Sequence, residues 1–149
     1  MQGLHLTADL RGCAVESALM TTPSALRATC LAAVAAAGLT PVGELFHRFS
    51  RPVRDGERDT APCGITGVVL LAESHLAVHT WPELAAATLD VYVCNLGADN
   101  SARAEALLAT LVAAFAPASI ERHALERGAA PATPVTAATV ATMATKQWR

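Results

Sequence analysis

Apolar and polar residues alternate from Leu4 to Leu10, which predicts a half-buried strand. Thr22-Pro23 then opens a helix, with Thr22 at the cap and Pro23 in the first turn. Leu26, Cys30, Ala33, Val34 and Ala37 recur at helical spacing up to Gly38, a residue suited to a helix C-terminus. A second strand is expected from Val42 to Phe49, and a third over the β-branched run Ile65–Leu71. His75–Trp81 continues extended until Pro82, and Leu89, Val91 and Val93 alternate with Asp90, Tyr92 and Cys94 in a further strand. A second helix begins near Asn100 or Ser101 and carries Ala104, Leu107, Leu108, Leu111, Val112 and Phe115 as its apolar stripe. Pro117 ends it, and Ile120–Glu126 reads as the last strand. Strand, helix, several strands, helix, strand implies an α+β two-layer sandwich: a mainly antiparallel sheet with two helices on one face. The other face then needs a cover, which points to a dimer.

Two segments break the pattern. Ser50–Cys63 is dense in Arg, Asp, Pro and Gly and reads as an exposed loop, and 128–149 is an Ala/Thr/Pro-rich tail read as flexible. A single domain over 1–127 followed by that tail suits a chain of 149 residues.

Composition narrows the function classes. Hydrophobic residues make up 52% and charged residues 16%, with net charge −2, so there is no basic field for nucleic acid and no polybasic membrane patch. No basic stretch precedes an apolar run at the N-terminus, and no apolar run approaches the roughly 20 residues that span a bilayer. Cys13, Cys30, Cys63 and Cys94 include no Cys-x-x-Cys pair, which argues for thiols in a reducing, cytoplasmic setting.

Candidate chemistry concentrates in residues 73–83, Glu-Ser-His-Leu-Ala-Val-His-Thr-Trp-Pro-Glu. His75, His79 and Glu83 at intervals of four would line one helix face as metal ligands, but Val78, Thr80 and Pro82 disfavour that helix, and no metal is expected. Ser74 as a hydrolase nucleophile lacks the Gly-x-Ser-x-Gly elbow. A lone histidine would be an ordinary strand residue; the cluster argues otherwise.

Glu73-Ser74-His75, His79-Thr80-Trp81-Pro82-Glu83 and Asp90-Val91-Tyr92-Val93-Cys94 together resemble the signature of the short prokaryotic S-adenosylmethionine decarboxylases. His5-Leu6, Phe46-His47-Arg48-Phe49 and Thr66-Gly67-Val68-Val69 extend the resemblance over residues 4 to 127. It implies a proenzyme that cuts itself between Glu73 and Ser74. The Ser74 hydroxyl attacks the Glu73 carbonyl, Thr66 (where these enzymes often carry serine) stabilises the oxyanion, and His79 removes the Ser74 α-proton. Elimination and loss of ammonia leave a covalent pyruvoyl group derived from Ser74. That ketone joins the substrate amine as a Schiff base and takes up the electron pair left by CO2, as pyridoxal phosphate would. Cys94 is implied as the proton donor to the substrate carbon, a role suited to a thiol, mostly protonated near neutral pH. Phe49 and Trp81 match aromatic positions that stack on adenine or face the sulfonium, and Glu83 matches a ribose-binding carboxylate. The resemblance further implies a dimer of cleaved protomers that makes the aminopropyl donor for spermidine synthesis.

Three departures bear on substrate choice: the long Ser50–Cys63 link, placed to act as a lid; Asn95-Leu96-Gly97 in place of a glycine directly after Cys94; and the tail. They keep open a pyruvoyl decarboxylase of the same ancestry acting on ornithine or arginine. A non-catalytic polyamine-related regulator is the reading from another class, against which Ser74, His79 and Cys94 together speak.

Overall fold

The computed structural model describes residues 2–50 and 63–128. All but the end residues of the expected lid loop (51–62) and tail (129–149) fall outside the described residues. One antiparallel sheet carries the fold. Its strands are β1 (Gly3–Arg11), β2 (Pro41–Arg48), β3 (Ile65–Leu71), β4 (Ser74–Trp81), β5 (Ala86–Cys94) and β6 (Ser119–Arg127), in spatial order β2-β3-β4-β5-β1-β6. Three helices accompany it: α1 (Ala18–Thr21), α2 (Pro23–Ala36) and α3 (Ser101–Phe115).

Alternation decides which side each strand residue takes. Leu6, Ala8 and Leu10 of β1, Leu76 and Val78 of β4, and Leu89, Val91 and Val93 of β5 are buried against Leu26, Cys30 and Val34 of α2 and Leu107, Leu108 and Leu111 of α3. Each such leucine removed from water contributes roughly 1.5–3 kcal/mol, so this single layer of core accounts for the sheet's association with the helices. Arg27–Glu44 and Arg122–Glu105 tie the helices to β2 and β6 on that side.

The expected α+β two-layer sandwich is what forms, with two additions. Helix α1 has only four residues; Ser17 caps it by accepting from the Leu19 N–H at 3.3 Å, and Met20 buries its side chain. Beyond the strand end, Pro82–Leu84 forms one 3-10 turn, after which β5 starts at Ala86, three residues before the expected Leu89. Thr22 and Asn100 occupy the cap positions read from the sequence, but neither side chain caps its helix. Asn100 is diverted: its amide donates to the Cys94 carbonyl at 2.8 Å.

Candidate active site

Strands β3 and β4 form a hairpin in which Leu71 faces Ser74, leaving Ala72-Glu73 as a two-residue turn. Glu73 takes φ 58°, a left-handed conformation that a non-glycine side chain adopts at a cost of roughly 1–2 kcal/mol. The peptide after it is the expected scissile bond. Ser74 follows at the head of β4, and its Oγ accepts a hydrogen bond from the Cys94 backbone N–H at 3.0 Å. Cys94 ends β5 and is 7% exposed. Glu73, Ser74 and Cys94 therefore meet at one end of the sheet, and all three line a cavity of about 560 Å³ shared with His75, Tyr92 and Arg127.

The segment after Cys94 holds this end in place. The Asn95 N–H donates to the Gln2 carbonyl at 2.8 Å, and the Asn100 N–H donates to the Asn95 side-chain oxygen at 2.9 Å. The Asn95 amide reaches Ser101 Oγ at 3.1 Å. Asn95, which looked like a mere departure from the family pattern, is the brace of the loop. Its signal in the sequence was the run of capping-type residues from Asn95 to Ser101.

The open face of the sheet bears most of the polar side chains. His75, Tyr92 and His5 lie side by side in register on β4, β5 and β1. Their ring centroids are separated by 5.6 Å (His75–Tyr92) and 6.2 Å (His5–Tyr92). His5 Nε2 lies 3.1 Å from Asp90 Oδ1. Burial lowers the His75 pKa below its ordinary value, helped by the His5 and Arg127 charges and opposed by Asp90. His5, Tyr92, Asp90 and Arg127 were not singled out as functional residues, because only the strand register brings them beside the motif.

Thr66 and His79 form a separate group. They are a register pair across β3 and β4, and Thr66 Oγ1 and His79 Nδ1 share a hydrogen bond of 2.9 Å. Trp81 stands next on the same strand, its ring 5.9 Å from that of His79. His79 lies five residues along β4 from Ser74, or ~17 Å at the rise of an extended strand. Within one chain the expected catalytic residues are thus two clusters: Glu73, Ser74 and Cys94 at one end, Thr66 and His79 towards the other.

The expected substrate contacts are dispersed. Phe49 follows β2, is 39% exposed and donates its N–H to the Gly64 carbonyl at 2.9 Å. Glu83 is exposed in the 3-10 turn beside Trp81. The four-residue spacing of His75 and His79 falls on a strand, so it separates the imidazoles by ~13 Å instead of stacking them on a helix face. Cys13 and Cys30 belong to the hydrophobic core, and burial pushes the Cys30 thiol up to about 12.

Comparison with known proteins places this geometry in context. Residues 4–128 match the family model described as S-adenosylmethionine decarboxylase. Among curated relatives, the S-adenosylmethionine decarboxylase proenzyme of Archaeoglobus fulgidus is 32% identical over 126 residues, covering 85% of this chain and 97% of that protein. The proenzyme of the same name from Persephonella marina is 36% identical over 129 residues, covering 87% of this chain and 84% of that one. The crystal structure of the adenosylmethionine decarboxylase from Aquifex aeolicus superposes with a TM-score of 0.71 at 31% identity, over 89% of this chain and 95% of that one.

Proposed function

The chain belongs to the S-adenosylmethionine decarboxylase family, and from that premise we propose that it is a self-processing decarboxylase of S-adenosylmethionine whose pyruvoyl group is made from Ser74. The observation that carries the reading is the meeting of a left-handed Glu73, the Ser74 hydroxyl and Cys94 at the tip of one hairpin. A hydroxyl held at 3.0 Å by a backbone N–H is fixed in position beside the carbonyl it must attack. The backbone N–H holds the attacking oxygen in place, while the negative charge of the addition develops on the Glu73 carbonyl oxygen, for which the Thr66 hydroxyl is the proposed donor. The Ser74 oxygen adds to the Glu73 carbonyl carbon, the peptide C–N bond breaks as the hydroxyl proton passes to the leaving nitrogen, and an ester links the two residues. Removal of the Ser74 α-proton by His79 then expels the Glu73 carboxylate.

When formed, the pyruvoyl ketone supplies the electron sink for the carbanion left by CO2. The chain's own contribution is to hold that end of β4 beside Cys94, whose buried thiol is positioned to return a proton to the substrate carbon. Phe49, Trp81 and Glu83 are the proposed contacts to adenine, sulfonium and ribose.

Because His79, with Thr66 opposite it on β3, stands ~17 Å from Ser74 along β4, the proposal includes a homodimer of cleaved protomers in which each site combines Ser74 and Cys94 of one protomer with the second cluster of its partner. The open face offers the apolar surface for that pairing: Leu45 is 68% exposed, Leu70 50% and Leu125 60%. No helix of the described residues is long and apolar enough to cross a membrane; a cytoplasmic setting remains part of the proposal.

The test is intact mass spectrometry with a CO2-release assay. The wild-type protein is expected as two chains, residues 1–73 and 74–149, and the Ser74→Ala protein as one. S-adenosylmethionine is expected to release CO2, while ornithine and arginine do not. A wild-type protein that stays uncut, or that prefers a diamino acid, overturns the reading.

A further inference from the structure

Arg127 closes β6 and turns back over the open face, where its guanidinium carbon lies 5.3 Å from the centre of the Tyr92 ring. Tyr92 in turn lies across Gly3, where an added Cβ would stand 2.7 Å from the tyrosine Oη, so no side chain displaces the ring from that position. The guanidinium is thus seated by a ring, on the wall of the cavity that also holds Glu73, Ser74 and Cys94. Among the described residues it has no carboxylate partner: the ion pairs are His5–Asp90, Arg27–Glu44, Arg122–Glu105 and His123–Glu121. An exposed guanidinium resting on a ring at the wall of this cavity, with no carboxylate partner among the described residues, suits a carboxylate that arises there, since the planar donor fork matches carboxylate geometry.

The proposed cleavage makes such an occupant at this spot. Before the cut, Glu73 and Ser74 share a neutral peptide. Attack by Ser74 Oγ breaks the C–N bond and forms an ester. Elimination breaks the Ser74 Cβ–O bond, its electron pair leaves with the Glu73 carboxylate, and the α-proton goes to the base. Water then replaces the Ser74 nitrogen, which departs as ammonia. The cavity gains one negative charge that the uncut chain lacks, and Glu73 is released from its left-handed tether.

We infer that Arg127, held by Tyr92, forms a binding site for the newly made C-terminal carboxylate of Glu73, which keeps the severed hairpin end docked beside Ser74 and Cys94. The inference rests on the self-cleavage reading. The chemistry recognised is a carboxylate, and its other conceivable source is the α-carboxylate of the substrate. Physical reasoning favours the chain end. Binding the scissile carboxylate tightly would stabilise the ground state, whose charge is lost as CO2 leaves, and so would slow the reaction.

A four-protein cycle tests it: the processed wild type, processed Arg127→Ala, uncut Ser74→Ala, and uncut Ser74→Ala/Arg127→Ala, each melted without substrate at matched concentration. Intact mass first establishes which proteins are cut, so failure of self-cleavage is visible separately. Loss of the Tyr92 contact lowers the melting temperature in both pairs alike. Loss of the carboxylate site lowers it further, by about 2–4 °C, in the processed pair only. Arg127→Lys, which keeps the charge, recovers part of that extra shift. Equal shifts in the two pairs overturn the inference, as does an Arg127→Ala protein that stays uncut, because the residue then acts before the carboxylate exists. Equal shifts joined to a raised KM at unchanged kcat would assign the site to the substrate carboxylate instead.

Discussion

His75 directly follows the proposed cofactor serine, and its surroundings on the open face lower the pKa of its imidazole. Burial disfavours its protonated form, and the neighbouring His5 and Arg127 charges add to that, while Asp90 works the other way. The folded pKa lies below the ordinary value of 6.5. As pH falls through about 6.5, the unfolded chain therefore takes up a proton that the folded chain refuses, and stability declines with it. At neutral pH and above, neither state binds the proton and the effect vanishes. Replacing His75 by Gln removes the titration. On the uncut Ser74→Ala background, the loss of unfolding midpoint in urea between about pH 7.5 and about pH 5.5 should shrink in His75→Gln. An unchanged pH dependence would mean that some other group dominates. The same residue shows why chemistry is harder to read from sequence than pattern. His75 and His79 look equivalent in the motif, yet one belongs with Ser74 and Tyr92 and the other with Thr66 and Trp81.

At the scale of elements, the hairpin β3–β4 depends on a residue whose place in the motif suggested nothing structural. Thr80 is fully buried on the helix side of β4, on the same side as Leu76 and Val78. Its Oγ1 accepts from the Ile65 N–H at 2.8 Å and donates to the Met20 carbonyl at 2.8 Å, joining the start of β3 to α1. Gly64 is required beside it, since a Cβ there would fall 1.8 Å from the Thr80 carbonyl oxygen. Thr80→Val keeps the shape but strands one donor and one acceptor in the core. It should cost about 2–4 kcal/mol in chemical denaturation, and a loss below about 0.5 kcal/mol would show that the two bonds are not needed. Alternation made β1 and β5 legible, the β-branched run made β3 legible with β4 continuing it as far as Pro82, and the 3.6-residue stripe made α2 and α3 legible, because their buried residues recur at the period of the element. Helix α1 was not legible: four residues carry too little periodicity, and the bond that anchors it, from Thr80 Oγ1 to the Met20 carbonyl, comes from a residue distant in sequence. The caps were found by position but misjudged in chemistry, because Asn100 serves the Cys94 carbonyl before its own helix.

For the whole molecule, strand geometry turns a one-chain motif into a two-chain proposal. A spacing of five on β4 puts Ser74 and His79 on opposite sides of an alternating strand as well as ~17 Å apart, so no side-chain rotation unites them. The proposed two-fold axis runs across the strands of the open face, so that the Thr66–His79 end of one sheet meets the Ser74 end of its partner, where Ser74 stands at the terminus of its strand. Complementation tests the arrangement directly. Ser74→Ala and His79→Ala homodimers are each expected to be inactive. When the two chains are co-expressed, a mixed dimer has one site bearing both substitutions and one bearing neither. The intact site takes Ser74 and Cys94 from the His79→Ala chain, and Thr66 and His79 from the Ser74→Ala chain. Random pairing makes half of the dimers mixed, each with one working site of two, so about a quarter of wild-type CO2 release should return. Mass spectrometry should find cleavage only in the His79→Ala chain, since that chain alone retains Ser74. If each site were complete within one protomer, the co-expressed pair would stay inactive and uncut, and the shared-site proposal would fall while the assignment of Ser74 and His79 to the chemistry stood.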